Sequence, residues 1–372
     1  MTILLEAMLT FALAAAVTAA LVPLVRRMCW QYGWLAQPNA RSMHTSPIPT
    51  LGGVAILVGF LVALGASALF ARFDPTFVRT SYESLRLLLL LIGVLLVAGI
   101  SLADDLYNLP VLPRLGVHIL AALVAVGPYL WDHTLYPDMS GAATEARGII
   151  LTAFNFPFVE QVHLHNLSPY LAIGATVFWI VGMQNMLNWL DGLDGLAAGV
   201  TCIAALVLAL HALELGQWTV ALLPLALAGA CFGFLPSNIH PARIFMGDVG
   251  AMSLGYILAV SAIIGGAKLA TALLVLGVPI IDMAWLIISR VRHGRSAAHA
   301  GRDHLHHRLI ALGFSQRQVV ALYYLLSTMF GAIALLDVMT PTAKLLALVL
   351  LGFLVLATIW YAGREAEDRV SV

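Results

Sequence analysis

The chain has 372 residues, 61% of them apolar and 10% charged, with a mean hydropathy of +0.94; nineteen basic and nineteen acidic side chains cancel to zero net charge. Soluble domains carry about 25% charged residues, so this composition excludes a soluble globular enzyme, a disordered chain and a nucleic-acid binder. Three cysteines, Cys29, Cys202 and Cys231, lie in or beside apolar runs without paired spacing, which suggests neither a disulfide framework nor a metal site.

A bilayer crossing needs about 20 mostly apolar residues. Eleven such runs succeed one another, at 3–25, 51–71, 84–103, 110–131, 168–187, 195–215, 217–235, 250–266, 268–289, 318–336 and 342–361. The first is a membrane helix rather than a signal peptide, because Glu6 stands where a basic leader belongs and no small-residue cleavage site follows. Backbone polar groups in lipid must be satisfied internally. The predicted fold is therefore all-α, a polytopic membrane helical bundle forming one domain over 1–372. The connecting loops fall into two alternating sets, one with thirteen Lys and Arg residues and the other with six. The positive-inside rule makes the first set cytoplasmic, with the N-terminus outside and the C-terminus inside. The long connection 132–167 carries Asp132, Asp138, Glu145 and Glu160 against Arg147 and reads as a small extracytoplasmic insert.

The polar residues beside these spans need an explanation, since ionisable groups there are costly and usually serve a pathway or a site. In chain order, the first cytoplasmic loop reads Asn39-Ala-Arg41-Ser42-Met-His44-Thr45-Ser46-Pro47-Ile48-Pro49-Thr50-Leu-Gly52-Gly53. Its prolines stiffen an extended segment, and Gly52-Gly53 opens the next span where backbone must approach something closely. Asp104-Asp105 ends the third span. It is either helix-end solvation or a pair of like charges that raises one proton affinity or recruits a metal. Asn185, Asn188 and Asp191 are three apart, along one side of a helix end, with Gly192, Asp194 and Gly195 following. They can be turn and cap residues, or oxygen donors for a hard cation such as Mg²⁺ held together with substrate phosphate. Asp248 follows Gly247 on the same predicted face. The loop 290–317 gathers Arg290, Arg292, His293, Arg295, His299, Arg302, Asp303, His304, His306, His307, Arg308 and Arg317. Zinc binding, an anchor for anionic lipid and a clamp for a diphosphate are the three readings of this loop.

Taken in order, Arg41-Ser-x-His44-x-x-Pro47-x-Pro49-x-x-Gly52-Gly53, Asp104-Asp105, Asn185-x-x-Asn188-x-x-Asp191-Gly-x-Asp194-Gly-Leu, Phe245-Met-Gly-Asp248-x-Gly250 and His304-Leu-His306-His307 resemble the polyprenyl-phosphate N-acetylhexosamine-1-phosphate transferases. This is glycosyltransferase family 4, and the resemblance covers about 38–312. Its first loop looks more like the members using UDP-N-acetylglucosamine than the peptidoglycan-precursor branch. The resemblance implies an enzyme of the bacterial inner membrane that works at the cytoplasmic face. It would move a sugar 1-phosphate from a UDP-sugar to undecaprenyl phosphate, releasing UMP, with Mg²⁺ as cofactor and Mn²⁺ as a substitute. The step would open synthesis of a lipid-linked envelope glycan; UDP-N-acetylgalactosamine, a 6-deoxy sugar and UDP-MurNAc-pentapeptide are the alternative donors. It further implies metal and diphosphate contacts at Asp248 and Asn188, an orienting group or base at Asp104, and catalytic parts for Asp105, Asp191, His306 and His307. Substrate contacts fall to Thr50, Asn185, Asp194 near the nucleoside, Phe245 against the uracil, Arg302 and His304. Partners would be the two substrates and membrane lipid, with no nucleic acid; a homodimer is left open. Three departures stand out: Ala251 replaces a frequent serine, Asn108 replaces a lysine of the peptidoglycan branch with Arg114 nearby as a substitute charge, and the 132–167 insert has no counterpart. A secondary transporter is the rival from another class. It requires internal repeats and acids in mid-span, and Asp282 is the main acid inside a span.

Overall fold

The computed structural model describes residues 2–38, 44–137, 143–154, 162–265, 269–292 and 304–336, with a few isolated positions beyond 345. In chain order its helices are α1 (Thr2–Tyr32), α2 (Gly52–Ser67), α3 (Ser81–Tyr107), α4 (Val111–Val126), α5 (Leu164–Leu167), α6 (Pro169–Leu190), α7 (Leu196–Glu214), α8 (Trp218–Asn238), α9 (Gly247–Ile264), α10 (Leu269–Val275), α11 (Gly277–Arg292), α12 (Leu305–Ala311) and α13 (Gln316–Leu335). Three short two-stranded ladders accompany them. β1 (Leu35–Ala36) pairs antiparallel with β2 (Ile48–Pro49) in the first loop; β3 (Leu135–Pro137) with β4 (Ala143–Ala146), and β5 (Ala153–Phe154) with β6 (Val162–His163), lie in the expected insert.

Among the described residues nine helices are long and apolar enough to cross a bilayer, and they coincide with the first eight and the tenth expected spans. The ninth is not one straight helix: α10 and α11 meet at a 79° bend. The sequence explains the break, because Gly277 and Pro279 both fall in the first turn of α11, where a proline lacks no needed N–H but cannot continue a helix from before it. The eleventh expected span, 342–361, lies almost wholly outside the described residues.

α9 runs through the middle of the bundle, buried without interruption from Val249 to Ile263 and packed against α2, α3, α6, α7 and α8. One continuous apolar core joins α1–α4 to α6–α13. In lipid such packing rests on close van der Waals fit, for which small residues are suited. Gly53 of α2 shows the requirement, since a β-carbon there would overlap the backbone of Gly250 in α9. The close backbone approach expected of Gly52-Gly53 is therefore an approach to another helix. α1 and α4 turn Leu4, Met8, Leu112 and Leu120 outward, an apolar exterior suited to lipid tails.

The ends of these helices define where chemistry can occur. The C-terminal ends of α1, α3, α6 and α8 and the N-terminal ends of α2, α4, α7 and α9 lie at one end of the bundle, as their alternating directions require. α3 enters through a reciprocal cap, Thr80 accepting from the Glu83 amide while the Glu83 carboxylate accepts from the Thr80 amide. It exits at Asn108, whose φ of 51° is a left-handed conformation that asparagine tolerates better than most residues. That backbone requirement is a local reason for an asparagine at position 108.

Candidate active site

The paired aspartates at the end of α3 face different partners. Asp105 places both carboxylate oxygens on the N-terminus of α9, accepting from the amides of Asp248 and Val249 at 2.9 Å each. These amides have no partner within their own helix, and a carboxylate there also meets the positive end of the helix dipole. Asp104 accepts from the Leu109 amide at 2.7 Å and from the Arg114 guanidinium. The same Arg114 nitrogen lies 3.3 Å from Asp248 Oδ2, so one cation from α4 bridges a carboxylate on α3 and one on α9. Arg114 is thus the cation at the end of α3.

Asp248 Oδ1 accepts from Asn188 Nδ2 at 2.8 Å, which brings α6 to the cluster. Asn185, one turn earlier, donates to its own helix at the Val181 carbonyl, 2.8 Å away. Asp191 sits just past the end of α6. Burial pushes its carboxyl well above the usual carboxylate range, and the negative charges of Asp248, Asp105 and Asp194 push the same way. Among the described residues no side chain or amide donates a hydrogen bond to it.

Asp194 belongs to a different contact. Its Oδ2 accepts from His240 Nδ1 at 2.7 Å and from the Ala242 amide at 3.0 Å, tying the start of α7 to the turn after α8. Arg317 of α13 holds the other side of that turn through the His240 carbonyl. Asn238 completes the tie, accepting from the Gly195 amide and donating to the Ile244 carbonyl. This turn leads into Phe245, whose ring meets His44 edge-on with 5.2 Å between centroids. The Phe245 amide donates to the Pro49 carbonyl at 2.7 Å, and the Gly52 and Gly53 amides donate back to Phe245 and Met246, so the first loop and the Phe245 motif form one unit. Thr50 lies in that unit, its carbonyl against Gly247, where φ is +69°.

The histidines come from the start of α12. His306 is 1% exposed and packs on Gly192, its Nε2 lying 2.6 Å from where a β-carbon would stand. Burial, followed by the neighbouring His307 and His304, lowers its pKa well below the usual imidazole range, so it is neutral. Neither ring nitrogen has a hydrogen-bond partner among the described residues. A buried polar group without a partner is expensive, and a ligand at this place would repay it. His307 lies 4.3 Å from His306 between ring centroids, and His304 stacks on His306 at 5.4 Å and 10°. Arg302 and Arg41 fall outside the described residues.

The structure thus joins Asp104, Asp105, Asn188 and Asp248 by direct contacts and sets Asp191 beside them in charge, while Asp194, Phe245 and Thr50 form a neighbouring rim. Sequence reasoning missed His240 and Asn238, which carry no motif signal. Asp282 was visible as a lone acid in a span; its partners, the His304 ring and the Leu305 amide, were not.

Among the described residues no three His, Cys, Asp or Glu side chains form a ready-made metal cage. The donor set nevertheless suits a hard cation shared with substrate phosphate, because it offers carboxylate and amide oxygens, and Asp191 has oxygens without a donor among the described residues. Crowded like charges are the electrostatic condition that a divalent cation relieves.

The glycosyl transferase family 4 model matches residues 87–266. The chain is 30% identical over 322 residues to a probable undecaprenyl-phosphate N-acetylglucosaminyl 1-phosphate transferase of Bacillus subtilis (strain 168), covering 85% of this chain and 80% of that one. It is 33% identical over 330 residues to a decaprenyl-phosphate N-acetylglucosaminephosphotransferase of Mycobacterium tuberculosis, covering 81% and 75%. A phospho-N-acetylmuramoyl-pentapeptide-transferase of Desulforamulus reducens is 29% identical over 316 residues, covering 85% and 89%.

The two kinds of carboxylate separate by experiment. Asp105→Ala removes the cap of α9 and should lower thermal stability in detergent by about 0.5–2 kcal/mol. Asp191→Asn relieves charge crowding and should leave the melting temperature unchanged or raised. Equal melting of Asp105→Ala and the parent would show that the cap is not structural.

Proposed function

The chain belongs to glycosyl transferase family 4, and from that premise we propose that it transfers N-acetylglucosamine 1-phosphate from UDP-N-acetylglucosamine to undecaprenyl phosphate. A phosphate oxygen of the lipid forms a bond to the β-phosphorus of the nucleotide. The bond from that phosphorus to the oxygen bridging the two phosphates breaks, and UMP leaves carrying the bridging oxygen. The observation that carries this reading is the carboxylate and amide cluster at the ends of α3, α6 and α9, together with buried His306 on Gly192, which has no hydrogen-bond partner among the described residues.

Asp248, Asn188 and Asp191 would hold Mg²⁺. When bound, the ion supplies charge neutralisation for two phosphates that must meet and for the leaving UMP. Asp105 keeps Asp248 at the entrance of α9 by holding its amide. Asn188 orients the Asp248 carboxylate, and Arg114 bridges it to Asp104. Because Asp104 is already an acceptor for Arg114 and the Leu109 amide, its geometry supports an orienting role over proton abstraction. A phosphate monoester is largely ionised near neutral pH, so little base catalysis is needed. Phe245 offers a half-buried ring for a nucleobase, and the His306-His307 pair offers imidazole nitrogens to the diphosphate. The work of the chain is then mainly positioning and electrostatics, as phosphoryl transfer requires.

The basic loops support a site on the cytoplasmic side of the bacterial inner membrane, where nucleotide sugars are made. Transport is disfavoured, since Asp282 is paired with His304 rather than lining a mid-membrane path.

Purified protein given UDP-N-acetylglucosamine, undecaprenyl phosphate and Mg²⁺ should release UMP, and EDTA should abolish release. No UMP from any UDP-N-acetylhexosamine tested would sink the proposal. A cysteine introduced at position 303 should resist membrane-impermeant reagents in intact cells and react in inverted vesicles; the opposite pattern would reverse the orientation.

A further inference from the structure

α11 carries a carboxylate that the reaction described above does not use. Asp282 is 5% exposed, a costly place for an acid unless each oxygen is matched. Both are. Oδ1 accepts from the Leu305 amide at 2.8 Å, and Oδ2 lies 3.2 Å from His304 Nδ1. Leu305 is the first residue of α12 and His304 its N-cap, so one side chain fixes both the backbone and the ring where this helix begins. An amide can only donate, which makes Asp282 an acceptor at Oδ1. A carboxylate serving that bond takes Nδ1–H from the imidazole as well. The His304 ring is further confined by Trp189, 5.8 Å between centroids, and by its parallel stack on His306. With Nδ1 committed, Nε2 is the nitrogen left to meet a ligand.

We propose that Asp282 is a positioning residue for the phosphotransferase centre: it holds His304 as the Nδ1–H tautomer, leaves Nε2 as an acceptor for a hydroxyl or amide N–H of the sugar nucleotide, and anchors the helix turn that bears His306 and His307. The proposal rests on the transferase reading for its substrate, but the tautomer it assigns does not. Asp282 reaches this place because the bend between α10 and α11 sets α11 on its own course, and Trp189, Asp282, His304 and His306 line one narrow cavity there.

Asp282→Asn separates capping from tautomer control. The amide oxygen can still accept from Leu305, while its NH₂ group donates to Nδ1 and forces the proton onto Nε2. In the full-length protein in detergent, this variant should keep the parent melting temperature within a few degrees and the KM for the UDP-sugar within about threefold. Its kcat should fall by about 10- to 100-fold, the range for losing a group that orients a ligating or catalytic side chain. Asp282→Glu should recover part of kcat. A kcat within twofold of the parent in Asp282→Asn would overturn the proposal. The second measurement is independent of turnover. In ¹⁵N-histidine-labelled protein, the signal lost in His304→Gln should report Nδ1–H in the parent and Nε2–H in Asp282→Asn. An Nε2–H ring in the parent would overturn the assignment even if Asp282→Asn could not be recovered folded. A parent that never releases UMP but shows the Nδ1–H ring would sink the transferase reading and leave the role of Asp282 in fixing His304 intact.

Discussion

The carboxylate of Asp105 resting on the first free amides of α9 is the contact from which the rest of the site follows. A helix buried from Val249 inward presents N-terminal N–H groups that have no partner within the helix and must be satisfied from outside it. Meeting that demand with a side chain from the end of α3 locks two spans in register. Asp248, one residue into α9, is thereby held where Asn188 from α6 and Arg114 from α4 can reach it. Four helices, α3, α4, α6 and α9, are tied at one end of the bundle by polar groups.

The same contact creates an electrostatic problem whose solution is the chemistry. Asp104, Asp105, Asp191 and Asp248 crowd into one region, and Arg114 is the cation that bridges two of them. Asp191 stays without a donor among the described residues and is pushed toward its protonated form. A divalent ion would offset part of this negative charge and of the charge that phosphate-bearing substrates would add. His304, His306 and His307 are delivered by the start of the short helix α12, which is held by Asp282 of α11, so acid and imidazole groups come from different parts of the chain.

Much of this was legible in the amino-acid sequence, for reasons that differ by residue. Spans are written in long apolar runs, and nine helices agree with them because hydrophobic length is a local property. The bend at 276 was written too, as Gly277 and Pro279, but a composition window averages across it. Asp104-Asp105, the Asn185 to Asp194 run and Asp248 announced a site by being acids beside lipid. What they could not announce was the division of labour between adjacent residues. Asp105 caps a helix, Asp104 pairs with an arginine ten positions on, and Asp194 ties down His240, because these depend on how α3, α7 and α9 cross. Asp282 looked like an isolated intramembrane charge; its partners, His304 and Leu305, are 22 and 23 residues away across the α11–α12 connection.

The central claim is that the cluster of Asp191, Asp248 and Asn188 binds a cation jointly with a nucleotide diphosphate. Calorimetric titration of Mg²⁺ into the purified protein, with and without UDP, tests it most directly. The account predicts that UDP tightens Mg²⁺ binding, that affinity rises with pH as the proton leaves Asp191, and that Asp248→Asn removes the linkage while the protein stays folded. UDP binding that is indifferent to Mg²⁺, or Mg²⁺ binding unchanged in Asp248→Asn, would contradict it.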